Sequence, residues 1–322
     1  MNSYDTTLEA GAAGSFYTLA LKLATIAYEQ PSKIVTDVPG ETNGNLQVVW
    51  GPVLDQSILS GQYSCMYITL DKTTGVHHLV IRGTHRDSLF SWLFEDFSVG
   101  ETKPFFSLPG LTVGRRAEAS LGDIMISKGT WRGMTYILNM RSWMSKVGLY
   151  MTALEYLAHI KAKSVIVCGH SLGGTLTPPM YLYLNYLLNV IGKRNCSLGL
   201  VSFAGLPPGG QKFATYFNQI FQNAYPWRIR NTLDIAPLMW LNLETVLNIY
   251  QSNNLSLSYV DPVRGLLDAY FWEADDSGIT YTQPTRAVDL PGVFDTRWRE
   301  DHFWAAQAAH QHGTDTYKAL LG

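Results

Sequence analysis

Gly169-His170-Ser171-Leu172-Gly173-Gly174 lies between an apolar run, Ser164-Val165-Ile166-Val167-Cys168, and a long apolar stretch from Thr175 to Ile191. Glycines two residues before and after a serine, with a strand ahead and a helix behind, form the pattern of a nucleophile elbow. A serine hydroxyl is a weak nucleophile and must be presented to a base and to a carbonyl carbon. A sharp strand-to-helix turn does this by straining the serine backbone, and the glycines remove side chains that would collide there. The amides opening the following helix point at the place where an oxyanion forms, which nominates the Leu172 N–H. The plainer alternative is an ordinary glycine-rich turn. With both flanks present, the pattern points to hydrolytic acyl transfer by Ser171.

Such a serine needs a base and an acid to orient that base, in the chain order Ser, Asp or Glu, His. Asp234, in Asn231-Thr232-Leu233-Asp234-Ile235-Ala236-Pro237, lies just past the expected strand Trp227–Arg230. The carboxyl ends of strands are where α/β sheets place their sites. A helix-capping aspartate is the alternative for Asp234. The base is expected at His302, in Glu300-Asp301-His302-Phe303-Trp304, where a polar loop enters a helix capped by Asp301. His312, in a glycine-containing break before the terminal helix, is the runner-up. His310 reads as a surface or packing residue. His170 is expected to point away from Ser171, because neighbours on a tight turn diverge.

The second oxyanion donor is expected from Val80-Ile81-Arg82-Gly83-Thr84, with Thr84 opposite Leu172. A plain β-turn is the alternative there. Leu89 to Phe97 follows directly and carries Phe90, Trp92, Leu93 and Phe94. Its amphipathic composition suits a lid over an acyl groove, expected within residues 85–99, although the same side chains could fill core. Asp96 is expected to pair with Arg82.

These groups require a framework. Phe16 to Ala27 follows helical spacing, with Ser15 as cap and Pro31 as stop. Strands are expected at Leu46–Trp50, Tyr63–Leu70, His77–Arg82, 164–168, Leu198–Phe203 and Trp227–Arg230. Residues 100–126 read as loops and short strands. Helices are expected over Thr130–Ile160 with a break near Asn139–Ser142, then 172–191, Gln211–Gln222, Phe303–His310 and Thr314–Leu321. Pro178-Pro179 should kink the second of these or limit its first segment. Residues 241–300 are mixed. Alternation of strands and helices implies an α/β fold with a mainly parallel sheet and helices on both faces. No repeat or linker divides the chain, so residues 1–322 are expected to form one domain.

Of 322 residues, 46% are hydrophobic and 16% charged, which gives a globular chain ample apolar surface to bury. The net charge of −2 and the absence of a basic stripe argue against a nucleic-acid partner. Three cysteines (Cys65, Cys168, Cys196) allow no disulfide scaffold, and Cys168 reads as a buried thiol. No uncharged run reaches membrane-spanning length. Met1 to Glu9 lacks a basic region, so no secretory leader is expected.

Taken together, the motifs resemble the class 3 lipases, the α/β-hydrolase family of filamentous-fungal triacylglycerol lipases and their bacterial relatives. Ile81-Arg82-Gly83-Thr84 resembles the family's oxyanion strand, and Trp92 and Asp96 the tryptophan and aspartate that follow it. Gly169 to Gly174 is the family's G-H-S-L-G-G unchanged. Phe203-Ala204-Gly205-Leu206-Pro207-Pro208-Gly209 with Phe213-Ala214, the segment Arg230 to Pro237, and Asp301-His302-Phe303-Trp304 resemble later family segments. There are departures. Ser127-Lys128-Gly129-Thr130 replaces a His-x-Gly-Phe segment, Leu206-Pro207-Pro208 lacks the usual arginine, and Ala305 replaces a tyrosine. The stretch from Asp234 to His302 is longer than in compact fungal members, which implies a cap insertion within 241–300. The resemblance implies hydrolysis of acylglycerols or related esters at a lipid–water interface, with no metal or organic cofactor. Rival readings are a phospholipase A1, a feruloyl-type esterase, and a membrane-damaging effector with a protein partner. A binding module with a dead site is weaker, because Ser, Asp and His candidates are all intact.

Overall fold

The computed structural model describes residues 10–54, 64–83, 98–111, 121–144, 149–193, 195–222, 225–258, 261–297 and 304–322. The N-terminal part holds helices α1 (Ala10–Ile26) and α2 (Pro31–Glu41) and strands β1 (Leu46–Leu54), β2 (Cys65–Asp71) and β3 (His77–Ile81). A short ribbon of β4 (Thr102–Pro104) and β5 (Met125–Ser127) precedes α3 (Lys128–Asn139). Next come the hairpin β6 (Arg141–Met144) and β7 (Leu149–Thr152), α4 (Ala153–His159), β8 (Ser164–His170), α5 (Leu172–Leu184) and β9 (Ser197–Phe203). The remainder is α6 (Gln211–Ile220), β10 (Arg228–Asn231), α7 (Leu243–Leu247), α8 (Pro262–Asp276), β11 (Ala287–Leu290), α9 (Trp304–His312) and α10 (Thr314–Leu321).

Seven strands form one sheet in the order β1-β2-β3-β8-β9-β10-β11. β1, β2 and β3 pair antiparallel, and every pair from β3 onward is parallel. Successive residues of a strand face opposite sides. Leu79 and Ile81 accordingly join one core with Val165, Val167 and Leu176, while Val80 joins a second core with Cys168, Leu23 and Tyr317. Helices therefore cover both faces, as the alternation of elements predicts. The carboxyl ends of β3, β8, β9 and β10 share one edge, at Ile81, His170, Phe203 and Asn231.

Several local expectations differ from the structure. Pro31 does not only stop α1; it begins α2 at the first turn, where a missing N–H costs nothing. The break expected near Asn139–Ser142 is a β-hairpin: α3 ends at Asn139 and β6 starts at Arg141. Pro178 and Pro179 sit inside α5, which runs on to Leu184. The Gly174 carbonyl that Pro178 cannot serve accepts from Thr177 Oγ1 at 2.8 Å and Ser202 Oγ at 2.9 Å. Two hydroxyls thus replace the lost backbone donor. Within 241–300, α8 is a full helix, and β11 is the outermost strand of the main sheet.

Candidate active site

Ser171 links β8 to α5 at φ +64° and ψ −126°, in the positive-φ region that side chains disfavour. Its N–H donates to the Phe203 carbonyl at 2.9 Å, which ties the turn to β9. The glycines have a steric reason. A Cβ on Gly169 would come within 2.6 Å of the Gly173 carbonyl oxygen, and one on Gly173 would run into the Ile81 carbonyl. A Cβ on Gly83 would stand 3.0 Å from Ser171 Cβ and 2.8 Å from the His170 carbonyl. The end of β3 therefore passes directly against the serine.

The imidazole facing Ser171 belongs to His312, with Nε2 2.9 Å from Ser171 Oγ. His312 Nδ1 lies 3.0 Å and 3.1 Å from the two oxygens of Asp234. A carboxylate only accepts, so Nδ1 carries the proton and Nε2 accepts from the serine hydroxyl. All three residues are buried. Asp234 follows the carboxyl end of β10, as expected, and its carboxylate also accepts from Tyr317 Oη at 2.8 Å and from the Ala236 N–H at 2.9 Å. Burial, then the Asp234 charge, pushes the Tyr317 hydroxyl well above the usual tyrosine range, so it stays a donor.

The position beside Ser171 that the sequence offered first to His302 is thus filled by His312. His302 lies outside the described residues. The expected glycine break is shorter: α9 continues two residues past His310, through His312, and Gly313 is the N-cap of α10. His310 lies half-exposed near Asp295, with Nε2 3.4 Å from its carboxylate.

The Leu172 amide opens α5, where the helix itself offers no acceptor for it. Thr84, the segment with Phe90, Trp92, Leu93 and Phe94, and Asp96 lie outside the described residues. His170 turns away from Ser171, as expected. Its Nε2 meets the His312 carbonyl at 2.8 Å and its Nδ1 meets Tyr28 Oη at 3.0 Å. Asn231 Nδ2 donates to the Gln311 carbonyl at 2.9 Å and to its side-chain oxygen at 2.7 Å. Sequence reasoning missed Tyr28, Asn231, Gln311 and Tyr317, because each acts through a partner distant in the chain. Cys168 is a buried free thiol, pushed up to about 12 by desolvation, and takes no part. Among the described residues, no cluster of three His, Cys, Asp or Glu side chains could hold a metal ion.

The class 3 lipase family matches residues 78–243, just over half of the chain. Among solved structures, M37 lipase is similar at 26% identity with a TM-score of 0.77, covering 94% of this chain and 92% of its own. The nonglycosylated LIP2 lipase of Yarrowia lipolytica aligns at 19% identity and TM-score 0.52, covering 71% and 75%. A triacylglycerol lipase from Penicillium expansum aligns at 15% identity and TM-score 0.50, covering 94% and 89%. These last two likenesses speak to the fold alone. No curated protein sequence matches the chain. The motif segments, the mainly parallel sheet and these matches agree: the fold is that of the α/β-hydrolases, and the chain belongs to the class 3 lipase family, whose members are ester hydrolases.

Proposed function

We propose that the protein hydrolyses acylglycerols or related lipid esters by two-step acyl transfer at Ser171, with His312 as base and Asp234 as its orienting acid. The observation that carries this reading is the unbroken line of hydrogen bonds Ser171–His312–Asp234, at 2.9 Å and 3.0 Å. Ser171 Oγ attacks the ester carbonyl while His312 Nε2 takes its proton. Asp234 holds the Nδ1–H and offsets the charge of the imidazolium. The developing oxyanion is assigned to the Leu172 N–H and, from the sequence motif, to Thr84. His312 returns its proton to the leaving alcohol. Water then attacks the acyl-enzyme by the same route and releases the acid.

The lipid character of the substrate is inferred from the family. M37 lipase, similar along nearly the whole chain, is named as a lipase. Ser171 is only 2% exposed, and we assign control of its access to a lid. Residues 85–99 are assigned that lid role on their sequence, with Phe90, Trp92, Leu93 and Phe94 meeting a lipid surface when it opens. No described helix is long and apolar enough to cross a membrane.

The test uses esters of rising chain length, and phospholipids, each assayed below and above the concentration at which it aggregates. Ser171→Ala should abolish turnover of every ester, and a serine-directed phosphonate should label the native chain once and the variant not at all. Retained activity in Ser171→Ala overturns the triad. Phospholipid cleavage without triglyceride cleavage overturns the acylglycerol assignment and leaves the triad standing. A smooth saturating curve across the solubility limit removes the lid.

A further inference from the structure

His170 is the one polar side chain of the elbow motif that the acyl-transfer scheme leaves idle. It is 4% exposed, and its two ring nitrogens are engaged in different ways. A carbonyl oxygen only accepts, so the 2.8 Å contact from Nε2 to the His312 carbonyl requires a proton on Nε2. In the neutral ring Nδ1 then accepts, and Tyr28 Oη is its donor at 3.0 Å. The second nitrogen's hydrogen bond sets which tautomer is held.

The carbonyl that His170 holds belongs to the final turn of α9, where helical C=O groups have no partner within the helix. The last three of these carbonyls are all engaged. That of His310 accepts from the Gly313 N–H at 3.1 Å and Thr316 Oγ1 at 2.6 Å. That of Gln311 is taken by Asn231 and that of His312 by His170. The two side chains come from the carboxyl ends of β10 and β8, which also carry the approaches to Asp234 and Ser171. The end of the base-bearing helix is thereby fastened to both strands that deliver its partners.

We propose that His170 is a positioning residue, held in its Nε2–H tautomer by Tyr28, and that it sets the reach of the His312 imidazole to Ser171 by gripping the His312 main chain. This rests on the triad reading given above. The consequence falls on chemistry rather than on substrate binding. His170 has both nitrogens turned from Ser171, whereas an error of about 1 Å in a catalytic group can cost on the order of a hundredfold in rate.

The experiment compares His170→Phe, His170→Gln and Tyr28→Phe with the native chain on a short soluble ester, with melting temperature measured for each. His170→Phe keeps a ring and loses the donor; kcat should fall about 10- to 100-fold with KM nearly unchanged. His170→Gln returns an N–H near the former Nε2 and should recover most of that loss, which a merely space-filling role does not explain. Tyr28→Phe frees the tautomer and should lower kcat by a smaller factor. Native kcat in His170→Phe, equal damage from Gln and Phe, or a loss confined to KM each overturns the proposal. If His170→Phe does not fold, Tyr28→Phe decides: an unchanged kcat overturns it. Turnover surviving in Ser171→Ala is a separate result that removes the triad reading and this proposal with it.

Discussion

The elbow around Ser171 and the helix end around His312 are the two halves of the proposed proton relay, yet they are built in opposite ways. The elbow is local. Its demand on the sequence falls on Gly169 and Gly173, within one turn, although the backbone that fills the space a Cβ needs comes both from the turn and from Ile81 on β3. The helix end is assembled from afar. His312 meets Asp234 across 78 residues of sequence and Ser171 across 141, and His170 reaches its carbonyl across 142. A local steric requirement leaves a signature in adjacent residues. A long-range hydrogen-bonded joint spreads its requirement over residues that look ordinary one at a time.

The largest expected effect breaks the comparison outright. His312→Ala should lower kcat on the order of a millionfold, about as much as Ser171→Ala, because members of a triad act as a unit. His302→Ala and His310→Ala should stay within a few-fold. Kinetics on a soluble ester, with phosphonate labelling of Ser171, check this. Full activity in His312→Ala, or its loss in His302→Ala alone, would show that the helix end is not the base-bearing half.

Asp234→Asn tests whether the far half depends on charge or only on shape. The amide can keep the geometry while failing to hold Nδ1–H, so kcat should fall on the order of ten thousandfold. KM should change little. A drop of less than tenfold would make Asp234 a structural anchor for Tyr317 and Ala236.

These expectations explain how unevenly the site could be read in advance. The place of Ser171 and Leu172 between a strand and a helix is legible because glycine spacing, strand and helix all lie within one segment. Asp234 was legible from its place after a strand. His302 was preferred over His312 because a polar loop before a helix suits a hanging imidazole; what outweighs that local argument is the capture of the α9 carbonyls by Asn231 and His170, which no nearby residue announces. The same logic holds in the framework. β8 and β9 were legible as apolar runs, but the hairpin β6–β7 was read as helix. Its strands pack beside β1, where Trp50 Nε1 donates to the Met151 carbonyl at 3.0 Å, so tertiary pairing decided it.

On the elbow side, Gly173→Ala should damage activity through backbone displacement alone. The added methyl meets the Ile81 carbonyl, which a flexible side chain could avoid and backbone cannot. Either α5 or the end of β3 must shift, and a shift of this size should cost on the order of a hundredfold in kcat along with stability. Unfolding in urea and ester kinetics, measured together, check both. Native activity would mean that the elbow is less tightly determined than the helix end, the reverse of the comparison.

Tyr317→Phe carries the smallest expected effect and sharpens the comparison most. Tyr317 lies on α10, beyond Gly313, and ties the end of β10 to the chain that follows the helix end: its hydroxyl donates to Asp234 and accepts from the Asn231 N–H at 3.0 Å. A hydrogen bond to a charged group contributes about 1.5–3 kcal/mol, so removing it should lower kcat roughly tenfold if Asp234 is held chiefly by His312 and Ala236. The pH dependence separates this role from simple packing. Burial and the Asp234 charge raise the folded-state pKa of Tyr317 above its unfolded value, so above pH about 10 the unfolded chain binds fewer protons than the folded one. Stability contributed by keeping the hydroxyl neutral is therefore complete below that pH and declines as pH rises. The native chain should lose stability more steeply than Tyr317→Phe in alkaline urea titrations. Equal slopes with a tenfold loss of kcat would confine Tyr317 to orienting Asp234, and a kcat unchanged from native would leave the carboxylate held by the helix end and the Ala236 amide alone.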